Sequence, residues 1–317
     1  MTDAEARRFI NDYYYSPNPG EEERFLFEEG MLYLIGKYHD PQYMSDLAFF
    51  YLEQRRHDLE LKYLEMAAEY NYPTAVEELG FIWYYGQTGV VDYEKAYGYF
   101  LRGQELDDDV VRSWSECKLA DMYHNGYYVE KDEARYKKMI ETLYAYCTNP
   151  GKMKSVYHYP ERCLPHSEVG VRLARIRAEE GRVDEAAALL HDTRIRLGEA
   201  IRNNPTWWGN IEVMDQVVTL EYKIGAAGAG VRTKLDIYDI FWMCEHECTV
   251  AFLYGRRRFL IEVVADESSD GEVIKNVIKF DGKWFRTARE FLEKAEIDGK
   301  KLTVLYDALQ DMEVNYG

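Results

Sequence analysis

No stretch of this 317-residue sequence approaches the run of about 18 apolar side chains that a membrane-spanning helix needs. The opening residues, Met1-Thr-Asp-Ala-Glu-Ala-Arg-Arg-Phe-Ile10, lack the apolar core of a secretory signal. Cysteine is scarce and odd in number: five are spread between Cys117 and Cys248, which argues against a secreted disulfide framework. Basic residues are the minority, 39 Lys and Arg against 57 Asp and Glu, for a net charge of −18. A surface that grips phosphate backbone needs the opposite balance, so no nucleic-acid partner is expected. Catalytic signatures are missing as well. There is no Gly-x-Ser-x-Gly, and the seven histidines are scattered. The Gly-rich stretch 225–230 neither follows a strand nor precedes Lys-Ser/Thr, as a phosphate loop would. What the chain does have is a 47% apolar share, ample for a core. These features predict an acidic, cytoplasmic, non-enzymatic protein without a cofactor and without a membrane contact.

The acidity is uneven. Residues 1–110 carry 9 basic and 23 acidic side chains, a net of −14. Residues 111–232 carry 18 and 17, and residues 233–317 carry 12 and 17. A partner of basic character would therefore be steered toward the first third.

From Glu21 to about Ile224 the apolar pattern is helical, in some ten short segments with breaks too brief for anything but antiparallel neighbours. Asp40-Pro41 and Tyr72-Pro73 read as helix starts, Asp92 as a cap and Gly126 as a stop. Inside the helices a spacing recurs. Leu47-Ala48-x-x-Tyr51 returns as Leu79-Gly80-x-x-Trp83 and as Leu119-Ala120-x-x-Tyr123, with Leu173-Ala174 opening a weaker fourth copy. A small residue lets two helices approach, and an aromatic one turn later fills the wedge where they diverge. Such a period marks a helical solenoid.

The run from Leu79-Gly80 through Trp83, Gly86, Gly89, Val90, Asp92, Lys95-Ala96 and Tyr99-Phe100 resembles a Sel-one-like repeat, a relative of the tetratricopeptide repeat. Leu119-Ala-Asp-Met-Tyr123-His-Asn-Gly126-Tyr-Tyr-Val129-Glu-Lys-Asp132 is similar to its first half, and departs from it where Tyr136 replaces Ala. The resemblance covers about 40–225. It implies a mostly α chain, an α-α superhelix used as a protein-binding scaffold, with no catalytic residues.

Past Ile224 the texture changes. Residues 225–232 read as a Gly/Ala linker, which predicts a solenoid over 1–224 with Met1–Tyr15 as its cap, and a small α+β domain over 233–317. In that domain Leu235–Met243 reads as a helix. Thr249–Tyr254 and Phe259–Val264 form a hairpin through Gly255–Arg258, and Val277–Phe280 with Lys283–Phe285 a second one through Asp281-Gly282. Thr287 and Glu290 suggest a capping box, and Leu302–Leu309 a last helix.

Cys244, His246 and Cys248 are the one cluster with a metal-like look: on a strand the three would share a face. The spacing does not match two zinc knuckles, and no metal is expected. Tyrosine is abundant, 28 residues, and often doubled. In the pairs Tyr84-Tyr85 and Tyr127-Tyr128 one ring is expected to pack between repeats. The other lies half-exposed with its hydroxyl in water or lines the inner surface as a partner anchor. Trp207 and Trp208 are read the same way, as a cap on the last hairpin or as an exposed anchor. The acidic runs Glu21, Glu22, Glu23 and Asp107, Asp108, Asp109 flank helix starts, where they complement the macrodipole and offer contacts to a basic partner. The leading expectation is a scaffold or adaptor that binds a protein or peptide on a curved helical surface. The alternative is an acidic inhibitor or immunity-type protein that occludes a basic toxin or nuclease.

Overall fold

The breaks seen in the sequence do bound helices, through capping bonds, leading prolines or a left-handed residue. The structure, a computed structural model, describes residues 1–149, 151–152, 165–205, 208–225, 236–245, 248–267, 273–305 and 309–316. Helix α1 is Asp3–Tyr15, α2 Glu21–Tyr38, α3 Pro41–Glu53, α4 His57–Glu69, α5 Pro73–Tyr85 and α6 Tyr93–Gln104. Helix α7 is Asp109–Asn125, α8 Glu133–Cys147, α9 Pro165–Glu179, α10 Val183–Asn203 and α11 Trp208–Lys223. Asp40 caps α3 by accepting the Gln42 amide at 2.9 Å, with Pro41 as the first helical residue. Pro73 starts α5 in the same way, but Tyr72 gives no side-chain cap. Asp92 accepts the Lys95 amide at 3.0 Å, and Gly126 ends α7 in the left-handed conformation at φ 73°.

One hydrogen bond recurs at every hairpin that carries the Leu-small-x-x-aromatic spacing. The amide that precedes the second helix donates to the carbonyl of the wedge residue. These bonds are Arg56 to Tyr51 (2.9 Å), Asp92 to Trp83 (2.9 Å) and Asp132 to Tyr123 (2.9 Å). The bond from Arg182 to Arg177 (2.8 Å) shows that Leu173-Ala174 does begin a fourth copy, with an arginine in place of the aromatic. In the first three hairpins a cation lies over the wedge ring. Arg56 sits 4.7 Å from the centre of Tyr51, Lys95 3.8 Å from Trp83, and Arg135 4.0 Å from Tyr123. The small residue is needed where the helices touch: a Cβ added at Gly80 would come within 2.5 Å of the Phe100 ring. This is the packing that the recurring spacing predicts: a small residue at the helix contact and an aromatic wedge one turn later.

The chain divides into two compact units, Met1–Met139 and Ile140–Gly317. In the first, α1 packs on α2, and the core is a continuous cluster from Phe27 and Met31 through Leu47, Leu64 and Leu79 to Leu119 and Met122. In the second, α9 and α10 form a hairpin, and α11 packs on both. Arg194 of α10 is only 4% exposed, bonded to Glu221 at 2.7 Å, to Asp236 at 2.5 Å and to Asp239 at 3.4 Å. A five-stranded antiparallel sheet completes this unit, in the order β4-β3-β2-β1-β7. Its strands are β1 Cys248–Tyr254, β2 Arg257–Glu267, β3 Val273–Phe280, β4 Lys283–Phe285 and β7 Leu309–Tyr316. The two-residue strands β5 Glu296–Ile297 and β6 Lys300–Lys301 pair separately. Between β4 and β5 lies helix α13, Ala288–Lys294, whose Phe291 meets Phe280 and Phe285 edge-on.

Both expected hairpins are present. Asp281 and Gly282 turn with φ of 48° and 74°, as a two-residue type I′ turn requires. Thr287 caps α13, while Glu290 closes on the Arg286 amide rather than on Thr287. Two expectations are corrected. The described residues of Leu235–Met243 do not form one helix: Ile237–Asp239 is a 3-10 turn, and α12, Ile240–Met243, is a single turn. The described residues of Leu302–Leu309 do not form a helix either, because Leu302–Val304 is a turn and Leu309 begins β7. Leucines 302, 305 and 309 mimic helical spacing. The first two are buried within the turn, while the third starts a strand paired with β1 from Tyr254↔Leu309 to Cys248↔Tyr316.

Candidate protein-interaction surface

Helical spacing builds one aromatic face on the first unit. On α5, Phe81 and Tyr85 lie one turn apart, with ring centres 6.2 Å from each other. On α7, Trp114 and Lys118 repeat that spacing. Trp114 meets Phe81 edge-on at 6.3 Å, and the Lys118 ammonium donates to the Tyr85 hydroxyl at 2.8 Å. Lys118 is buried and lies 3.7 Å from Asp121, so its charge is neutralised beneath the ring. Tyr85 itself remains 55% exposed.

The tyrosine doublets divide as expected, one ring in and one out. Tyr84 packs against Tyr93, Phe100 and Tyr127, and burial, followed by the Asp121 charge, pushes its hydroxyl pKa up. Tyr127 stacks on Tyr93 at 4.2 Å with the ring planes 7° apart. Tyr85 and Tyr128 are the outward members, but their hydroxyls are not left to water. Tyr85 accepts from Lys118, and Tyr128 donates to the Glu94 carboxylate at 3.2 Å, which raises the Tyr128 pKa. Tyr127-Tyr128 also lies outside a helix, in the loop after Gly126. Tyr128 holds a left-handed backbone at φ 63° with its ring 55% exposed. The preceding loop, of equal length from Gly86 to Asp92, supplies its two left-handed residues with Gly86 and Gly89.

The acidic runs serve helix ends. Glu21, Glu22 and Glu23 are the first turn of α2, and Glu23 accepts the Gly20 amide at 2.6 Å. Asp108 caps α7 through the amides of Val110 and Val111, Asp109 is its first residue, and Asp107 is exposed beside them. Trp207 lies outside the described residues, and Trp208 is the first residue of α11.

Cys244 and Cys248 do not share a strand face. Cys244 ends α12 and Cys248 begins β1, and His246 lies outside the described residues. Both thiols donate to backbone carbonyls, Cys244 to Phe241 at 3.2 Å and Cys248 to Met243 at 3.7 Å. Burial, with Glu245 and Asp215 nearby, pushes the Cys244 thiol up to about 11, away from the thiolate that metal ligation needs. Phe81, Trp114, Lys118 and Tyr93 complete the aromatic face without having been singled out in the sequence. For Phe81, Trp114 and Lys118 the available signal is the four-residue spacing 81–85 and 114–118 on neighbouring helices; Tyr93, the first residue of α6, has no such signal.

Among solved structures, the chain is similar to a Sel1 repeat protein from Oxalobacter formigenes. The identity is 14%, over 68% of this chain and 77% of that one, with a TM-score of 0.44. It is also similar to a protective antigen of uropathogenic Escherichia coli strains that displays an SLR fold. There the identity is 16%, over 70% of this chain and 56% of that one, with a TM-score of 0.37. No family model and no curated protein matches. The repeat architecture accordingly rests on the hairpins of the chain itself, with their recurrent amide-to-wedge bond. No helix among the described residues is long and apolar enough to cross a membrane.

Proposed function

We propose that this protein is a non-enzymatic interaction scaffold that binds a protein or peptide partner on its helical-repeat surface, with Tyr85 and Tyr128 as anchors. The supporting observation is Tyr128. A non-glycine residue in left-handed backbone costs on the order of 1 kcal/mol, and the neighbouring loop avoids that cost: the counterpart of Tyr128 there, Thr88, is not left-handed, and its left-handed residues Gly86 and Gly89 are glycines. The ring is held in place by Tyr97, 5.4 Å away, and by Glu94, and its more than half-exposed outer face is open to a partner. Tyrosine is also a favoured interface anchor, because a large amphipathic ring loses little conformational entropy on binding. The excess of 57 acidic over 39 basic residues favours a basic partner and disfavours nucleic acid. The thiols of Cys244 and Cys248, neither in a disulfide, suit a reducing, cytoplasmic setting.

Tyr128→Gly separates the two roles of this residue. Glycine relaxes the backbone, so the variant should be as stable as the parent in urea, or more stable by up to about 1 kcal/mol. A photocrosslinking amino acid at position 85 or 128 identifies the partner. Affinity measured with that purified partner should then fall about tenfold or more in Tyr128→Gly and Tyr85→Ala. Unchanged affinity in both variants would overturn the reading.

A further inference from the structure

Where the last two turns of α1 meet the first turn of α2, an open cleft of about 350 Å³ is lined by Phe9, Asp12, Tyr15, Ser16, Glu23 and Leu26. Phe9 and Leu26 are half-buried and supply apolar walls, while Asp12 is exposed and Tyr15 is 86% exposed. So open an aromatic ring beside a carboxylate has no packing function in this unit.

Two carboxylates line the cleft, and the Arg8 guanidinium lies 5.1 Å from the centre of its Phe9 wall. Asp12 and Glu23 face it from the two helices, and Glu23 is held in place by the Gly20 amide. The cleft lies at the C-terminal end of α1, the negative end of its macrodipole, and no basic residue stands in that last turn. The opposing positive end of α2 is offset by Glu21, Glu22 and Glu23 in its own first turn. Residues 1–110 add a net of −14 around this site. A cation is therefore favoured by local carboxylates, helix end and long-range field together.

Ring and carboxylate together select the kind of cation. A planar guanidinium can stack on an aromatic face while its edge donates to a carboxylate, and it is more weakly hydrated than an ammonium. We propose that this cleft receives an arginine side chain from a basic segment of a partner protein, stacked on Tyr15 and hydrogen-bonded to Asp12. The site lies on different helices from Tyr85 and Tyr128 and does not depend on them.

The test is a titration of the full, isotope-labelled chain with acetyl-Gly-Arg-Gly-amide, followed by the amide resonances of α1 and α2. Lysine and leucine versions of the same peptide serve as comparators. The arginine peptide should give saturable shifts at Tyr15, Ser16 and Glu23, about threefold to tenfold weaker in Asp12→Asn and in Tyr15→Ala, and attenuated by salt. Both positions are exposed, so circular dichroism should report an unchanged fold. Tyr128→Gly should bind the peptide as the parent does, which separates this site from the anchors on the repeat surface. The assignment is overturned if no saturable shift appears, or if the leucine or lysine peptide binds as tightly. It is also overturned if both cleft variants bind like the parent.

Discussion

The two compact units close their helical hairpins with the same backbone bond but support it with different chemistry. In Met1–Met139 the wedge residues Tyr51, Trp83 and Tyr123 are rings with a cation above them. In Ile140–Gly317 the corresponding residue is Arg177, ion-paired with Glu141 at 2.6 Å and Glu180 at 3.1 Å. That unit also buries Arg194 among three carboxylates. The bond from the next helix's leading amide to the wedge carbonyl survives the change of side chain, so it belongs to the hairpin path. The side chain decides what stabilises the hairpin: a packed ring beneath a cation, or a guanidinium paired with carboxylates.

The sharpest way to break the comparison is to remove one support from each unit. Arg194→Met leaves buried carboxylates without their guanidinium, a loss of about 3–5 kcal/mol. Trp83→Ala removes a ring that is 9% exposed, with a cavity cost of similar size, about 3–5 kcal/mol. Hydrogen exchange should localise the loss of protection to 140–317 in the first variant and to 1–139 in the second. If both variants lose protection evenly along the chain, the two units unfold as one and the contrast has no energetic meaning.

A smaller effect concerns Glu78 of α5, a carboxyl in the first unit whose burial opposes its charge. Burial, and then the nearby Glu60 carboxylate, raise Glu78 of α5 to about 7 from its ordinary 4.5. Glu60 is itself buried and paired with His57 at 2.8 Å. Because the folded-state pKa lies above the unfolded value, the contribution of Glu78 to stability is fully present below pH 4.5. It is lost as the pH rises toward 7, where the folded protein must hold a desolvated carboxylate. Glu78→Gln should therefore match the parent near pH 4.5 and exceed it by about 1–3 kcal/mol at pH 8. Urea midpoints across that range check the slope. A constant difference at all pH values would show that Glu78 does not titrate on folding.

Much of the helical framework was written in local chemistry. Asp40-Pro41, Asp92 and Gly126 each act through one bond or one φ value, so the residue and its neighbours suffice to locate the helix end. The Asp281-Gly282 turn is legible for the same reason. What escaped depends on residues distant in sequence. Leu309–Tyr316 becomes a strand because β1 offers it an edge, a partner some sixty residues away that no local pattern announces. The surface behaved alike. Tyr85 and Tyr128 could be marked as outward rings from their doublets, but not the bonds from Lys118 and to Glu94 that hold them, because these bridge separate helices. The cleft beside Tyr15 joins the end of one helix to the start of the next, and the Glu21–Glu23 run reveals only its acidic half.

The smallest effect sharpens the comparison from the side of the backbone. A glycine inside a helix is destabilising by roughly 0.5–1 kcal/mol relative to alanine. In the second unit the helical glycines have neighbours: a Cβ added at Gly170 would come within 2.5 Å of the Thr193 hydroxyl, and at Gly198 within 3.8 Å of Arg202. In the first unit Gly30, Gly80 and Gly103 are packed in the same way, but Gly36 of α2 and Gly98 of α6 are exposed, and an added Cβ there would meet nothing within 4 Å. Packing inside the fold therefore does not require these two. Gly98 lies one turn beyond Glu94, the residue that holds the Tyr128 hydroxyl. A bare helix surface beside an exposed ring lets a partner's backbone approach closely. Gly98→Ala should raise stability in urea by about 0.5–1 kcal/mol and weaken binding of the partner identified through Tyr128 by a fewfold. Greater stability with unchanged affinity would mean that the gap at Gly98 contributes nothing to recognition, and would confine the anchor to the ring.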